Sequence, residues 1–268
     1  MKFSVAAFIF IFCCCSPYKK IAVPRRSSVV TGTEFYSVAS AMGWQQRDSM
    51  VLREVLHGNV PSFLARFVPV HVQTKDPSSG KIIHAAFFVA PDYLSVGTDS
   101  DWARVNITPH AAQKIADSLQ CFLPTKKMVD DIYAAATVKL DPVPMYALRD
   151  STPTMFHHHL IIEGQRKGRK GLIAGIMKDV VISGKVTRDP KPDRVAIYGW
   201  HRKNGIPIQP LYTGHVFWWV DYSQGIRLVW HKIKVENKWM EYTEVLKDPL
   251  LHRLICDEEY CDFYKYPY

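Results

Sequence analysis

The stretch YGWHRKNGIPIQPLYTGHVFWWVDYSQGIRLV, residues 198–229, gathers side chains that could do chemistry. His201 and His215 are imidazoles, and an imidazole titrates close enough to neutrality to act as a general base. Asp221, Tyr222, Ser223, Gln224 and Arg227 follow closely. A carboxylate, hydroxyls, an amide and a guanidinium at that spacing could orient a base, contact a substrate or hold a developing oxyanion. Upstream, Lys178 and Asp179 interrupt the apolar run LIAGIMKDVVIS. Charges in the middle of a strand are costly to bury unless paired or used. They either face water at an edge or line a pocket where Lys178 meets a substrate anion.

Spacing divides these residues. His201 ends one strand and His215 begins the next, so pairing would bring both imidazoles to the same sheet end. A straight strand rises about 3.3 Å per residue, which would set His215 and Asp221 roughly 20 Å apart. That splits the stretch into a His201–His215 pair and an Asp221–Tyr222–Ser223–Arg227 group. Arg227 could pair with Asp221, and Asp and Ser are common turn residues, so a structural role stands beside the functional one for each group.

Two other runs are weaker. His157, His158 and His159 occupy consecutive helical positions about 100° apart and cannot converge on one ion. His159 and Glu163 share a face, but no third ligand is evident, so neither a metal nor a cofactor is expected. The run QRKGRKG, with Arg166, Lys167, Arg169 and Lys170, could cradle an anion on exposed backbone or simply be a solvated loop.

Positioning these groups falls to an α+β arrangement, an antiparallel sheet with a helical layer packed on it. SMVLREVLHGN has helical periodicity and stops at Gly58. RFVPVHVQT and KIIHAAFFVAPDYLSVG flank the turn KDPSSG and should form a hairpin. Thr108 followed by Pro109 starts one helix and Thr125 caps another. LDPVPMYALRDSTPTM is an irregular connection, and FHHHLIIEGQRKG a further helix. From residue 171 onward, β-branched and aromatic runs alternate with turn residues, with HRKNGIPIQP as one of the loops.

With 268 residues, 47% of them hydrophobic, the chain can bury a full core. The opening MKFSVAAFIFIFCCCSP has one lysine, a short apolar run and then soft residues, the pattern of a secretory signal over residues 1–15. Cys13–Cys15 stand where a bacterial lipoprotein would be cleaved and acylated. A plain signal and a lipoprotein signal therefore both remain open, with a lipid anchor as the one expected membrane contact. Residues 16–30 would be a tether and 31–268 one domain. Export implies an oxidising compartment, so Cys256 and Cys261 in CDEEYC should pair, leaving Cys121 as a buried thiol. Outside the cell, the net charge of +9 points to wall polymers, acidic glycans or lipid headgroups rather than nucleic acid, or simply to a solvated basic surface.

GNVPSFLARFVPV, DYLSVGTDSDWARVNITPHAAQKIADSLQCFLPTKKMVDDIY, KDVVIS, YGWH with PIQPLYTGH, and VDYSQGIRLV together resemble an uncharacterised family of secreted bacterial and fungal proteins. The resemblance covers most of residues 31–230. Members of that family often carry a histidine at the place of Gln224, and often Gly-His-Lys-Lys-Asp where this chain reads GIMKD. The resemblance implies a site near Lys178, Asp179, His201, His215, Asp221, Tyr222 and Arg227, without naming a reaction. SQGIRL is also similar to the Ser-His-Gly-Cys-x-Arg signature of L,D-transpeptidases but lacks its histidine and cysteine. The helix–LPT–helix segment is similar to part of the sulfatase-modifying-factor branch of C-type-lectin-like folds. The expectation is an exported hydrolase acting on an extracellular or envelope polymer. His201, His215, Lys178, Asp221, Tyr222 and Arg227 would be catalytic, and Ser223, Gln224, Asp179 and Arg166 would bind substrate. The alternative is a non-catalytic protein that binds a glycan or peptide.

Overall fold

The structure is a computed structural model, and it describes residues 19–23 and 30–268. The signal expected over residues 1–15 lies outside the described residues, as does most of the tether. Where the tether is described, Lys19–Lys20 form a short strand, β1. After it come helices α1 (Gly32–Ala39) and α2 (Trp44–Leu56), then strands β2 (Arg66–Lys75), β3 (Ile82–Val89), β4 (Ser95–Gly97) and β5 (Trp102–Arg104). The middle of the chain gives α3 (Pro109–Ser118), β6 (Cys121–Phe122), α4 (Lys126–Ala135), β7 (Val138–Lys139) and α5 (Thr152–Arg166). The last third gives β8 (Ile173–Ala174), β9 (Lys178–Val181), α6 (Lys185–Arg188), β10 (Arg194–His201), β11 (Pro207–Val216) and β12 (Gln224–Gly225). It closes with β13 (Val229–Trp230), β14 (Lys232–Val235), β15 (Lys238–Glu241) and α7 (Tyr242–Lys247).

The fold is α+β, with mostly antiparallel pairing. Its strands divide between two principal sheets instead of sharing one. The larger runs β1-β2-β3-β13-β6, with β14 and β15 joined to β3, and the smaller runs β11-β10-β9-β12. Two short pairs, β12 with β9 and β7 with β8, are parallel. The local rules explain the helices. Thr108 and Thr125 accept from the amides of Ala111 and Met128, each satisfying a donor the first helical turn leaves open. KDPSSG closes the β2–β3 hairpin, with Asp76 accepting from Ser78 and Ser79. One apolar core runs through both principal sheets, from Phe35 on α1 to Tyr266 near the end of the chain. Cys256 and Cys261 form a disulfide, and Cys121 is a buried free thiol, as their spacing suggested.

One expectation about strand limits fails. The last four residues of the stretch read as the loop HRKNGIPIQP, Pro207 to Pro210, belong to β11, which begins at Pro207 and ends at Val216. His215 is thus near the end of its strand. Its partner across the ladder is Val195, whereas His201 pairs opposite Pro207. The two imidazoles lie at opposite ends of the β10–β11 hairpin, so they do not form a local pair. Prolines at 207 and 210 suggested a loop, but an edge strand tolerates them, and β11 is an edge.

Candidate functional site

Two consecutive residues of β9 organise the site. Side chains alternate across a strand, so Lys178 and Asp179 leave β9 on opposite faces. Lys178 Nζ lies 3.0 Å from Asp221 Oδ2, and both side chains are buried. Arg149 Nη2 donates to the same Asp221 oxygen at 2.9 Å, from a side chain that is 46% exposed. The other Asp221 oxygen accepts from the Ser223 amide at 2.9 Å and the Ser223 hydroxyl at 2.7 Å. The Gln224 side-chain oxygen accepts from the Asp221 amide at 2.8 Å. This turn is clasped from outside: the Asn106 side-chain amide donates to the carbonyls of Asp221, Tyr222 and Gln224. Arg47 in turn donates to the Asn106 carbonyl.

Asp221 therefore balances two cations from a fixed position. Burial alone would raise its carboxyl, but the Lys178 ammonium and the hydrogen bonds from Ser223 and Lys178 outweigh that and hold it below the ordinary carboxylate range. Burial draws Lys178 below the usual lysine range, against the pull of Asp221. The cluster carries one net positive charge with Arg149, the member that reaches solvent.

His215 stands beside this cluster. β11 stops at Val216 and a turn follows, so the chain is not the straight strand that a 20 Å separation assumed. Half-burial lowers the imidazole pKa, and the charges of Lys178, Arg149 and Arg194 lower it further, against Asp221. At neutral pH, His215 is an uncharged ring, packed against Tyr212 and Trp219, with no hydrogen-bond partner among the described residues. Exposed aromatic groups surround this edge: Tyr212, Trp218 and Trp219 from β11 and its turn, and Tyr146 from the connection that carries Arg149.

The remaining expected site residues lie elsewhere. Asp179 accepts from the Tyr93 hydroxyl at 2.9 Å and faces Arg227 at 3.9 Å; burial pushes its carboxyl up to about 6. Arg227 does not meet Asp221. It is buried over the Tyr93 ring and donates to the carbonyls of Ala90 and Ile173, which makes it a core anchor. Gly225 permits that packing, because a Cβ there would stand 2.4 Å from Tyr93 Cδ1. Tyr222 is buried too, its hydroxyl accepting from the Met145 amide at 2.6 Å.

His201, the last residue of β10, is tied to α4. Its Nε2 lies 2.9 Å from Asp130 Oδ1, and the Tyr198 hydroxyl donates to the same oxygen at 2.8 Å. Residues three apart on a regular strand point to opposite faces. Left-handed backbone at Gly199 and Trp200, at φ 104° and 58°, breaks that alternation and lets the two meet. Arg166 joins another buried network, in which Asp92 receives Arg104 at 2.8 Å and Arg166 at 3.4 Å. His159 and Glu163 do share a helix face, and both meet Arg104.

Of the expected residues, the structure joins Lys178, Asp221, Ser223 and Gln224 by direct hydrogen bonds, with His215 within range of their charges. It separates His201, Asp179, Tyr222, Arg227 and Arg166 from that contact set. Sequence reasoning missed Arg149 and Asn106. Each stands alone among ordinary neighbours, 72 and 115 residues from its partner. Compared with known protein families, characterised proteins and solved structures, the chain matches none.

Proposed function

We propose that this protein is an exported hydrolase acting on an extracellular or envelope polymer that carries anionic groups, with its reaction centred on His215, Lys178 and Arg149. One observation carries the reading. An uncharged, half-buried imidazole without a hydrogen-bond partner stands next to a cationic cluster whose outermost member reaches solvent. In this reading His215 Nδ1 or Nε2 takes a proton from an attacking water and gives it to the departing group as the polymer's linkage breaks. Arg149, backed by Lys178, holds an anionic substrate group or the developing oxyanion. Asp221 keeps both cations in place. The Cys256–Cys261 disulfide supports an oxidising compartment, and the apolar leader-like opening of the sequence supports export.

The test is turnover. Purified protein is incubated with polygalacturonate, alginate and peptidoglycan fragments, and released reducing ends or peptides are quantified. His215→Ala should lower the rate at least about 100-fold, the range a general base contributes. A rate within twofold of the parent protein would overturn the assignment. The exposed Tyr146, Trp218 and Trp219 favour a second reading, a non-catalytic binding edge for a glycan or peptide. Retention on these polymers that depends on Arg149, with no product from any of them, would establish that reading instead.

A further inference from the structure

The larger sheet has a solvent-facing side distant in sequence from the Lys178 cluster. Register fixes which residues share it. His71 on β2 lies opposite Ala86 on β3, Ala86 lies opposite Lys234 on β14, and Lys234 lies opposite Trp239 on β15. Phe88 and Lys232, each two residues along, face the same way. The alternate residues Ala85, Phe87, Ile233 and Val235 are buried, whereas the outward ones run from buried Ala86 through half-buried Phe88 and Lys232 to exposed Lys234 and Trp239.

This outer face has an aromatic platform. Trp239 is 48% exposed, with its ring 5.7 Å from Phe88 and 5.1 Å from Trp230. Small Ala86 leaves the surface low beside Trp239. The charges on the face are mostly cationic. Lys234 forms no ion pair among the described residues, and Lys232 shares Glu241 at 3.7 Å while Glu241 holds His231 at 2.7 Å. Glu236 is tied to the His84 amide at 2.9 Å.

We propose that this face binds a carboxylated polysaccharide, independently of the hydrolytic site. The flat side of a sugar ring presents polarised C–H groups to the negative face of an indole, and Trp239 offers that face. Lys234 and Lys232 stand beside it to take the carboxylates, and their exposure makes the attraction salt-dependent. The Cys256–Cys261 disulfide fits an oxidising compartment outside the cytosol, where acidic glycans are among the polyanions on offer. A sheet whose neighbouring strands are about 4.8 Å apart gives an extended chain several contacts in a row.

Affinity electrophoresis through gels containing polygalacturonate, with dextran gels as the neutral control, tests this directly. The intact protein should be retarded by polygalacturonate only. Trp239→Ala and Lys234→Glu together should weaken retardation about tenfold while the melting curve and any turnover of short soluble oligomers stay unchanged. His215→Ala should leave retardation intact, so loss of the hydrolytic reading would not affect this one. Unchanged retardation in the double variant would overturn the proposal. Equal binding to phosphatidylglycerol vesicles or double-stranded DNA would also overturn it, by showing attraction to any polyanion.

Discussion

Asp221 holds two cations that differ in their access to water, and that difference predicts two different mutational outcomes. Asp221→Ala strands Lys178 as a buried ammonium without a counter-charge, which should cost about 3–5 kcal/mol in urea unfolding. Arg149→Ala removes a half-exposed partner and should cost less than about 1 kcal/mol, yet abolish recognition of the anionic group. His158 gives a pH prediction. Burial, then the nearby Arg104 charge, lowers its imidazole to about 3, against an unfolded value of about 6.5. The folded protein thus keeps the ring neutral. The stability it contributes is complete above about pH 6.5 and is lost as pH falls toward 3. Asp48 and Asp179, both raised to about 6, contribute with the opposite sign over the same range. His158→Phe leaves those in place, so its loss of stability from pH 7 to 4.5 should be about 2–3 kcal/mol smaller than the parent's. Urea midpoints at the two pH values measure this. At this scale the sequence exposed the anomaly of Lys178–Asp179 but not its resolution, because Lys178's partner lies 43 residues away.

The short β12 strand depends on a close approach between elements. Gly225 pairs with Asp179, and any side chain there would collide with Tyr93, the residue that donates to Asp179. Gly225→Ala should therefore cost about 1–3 kcal/mol, read as a lowered urea midpoint with the slope preserved. Helices and the β2–β3 hairpin were legible because their signals are local: Thr108 before Pro109, Thr125 as a cap, Asp76 and two serines in a turn. β11 was not, because Pro207 and Pro210 mark a loop wherever the strand is not at an edge. The left-handed backbone at Gly199 and Trp200 was hidden as well. A tryptophan with positive φ is sterically costly, and only tertiary contacts hold it there.

On the scale of the whole molecule, the two histidines that the sequence drew together serve different places. His201 fastens β10 to α4 through Asp130 and packs its ring on Tyr133 at 4.6 Å. His201→Ala should lower stability by roughly 1–3 kcal/mol through the lost bond and ring packing. Turnover per folded molecule should stay within twofold of the parent. Thermal melts beside rate assays separate the two effects, and a large rate loss at unchanged stability would return His201 to the reaction. The α+β class followed from the order of helical and β-branched segments. The division into two principal sheets depends on long-range pairings, such as Val229 with Val89, that no local pattern encodes.

β11 borders the smaller sheet with β10 as its strand neighbour, and it is ten residues long. Such a margin is a template on which another copy could stack and start a fibre. Two features of this margin oppose that growth. Pro207 and Pro210 have no amide hydrogen to give an incoming strand, and the irregular register against β10 bends the ladder away from a flat alignment. The prolines that disguised the strand in the sequence thus guard the molecule against self-association.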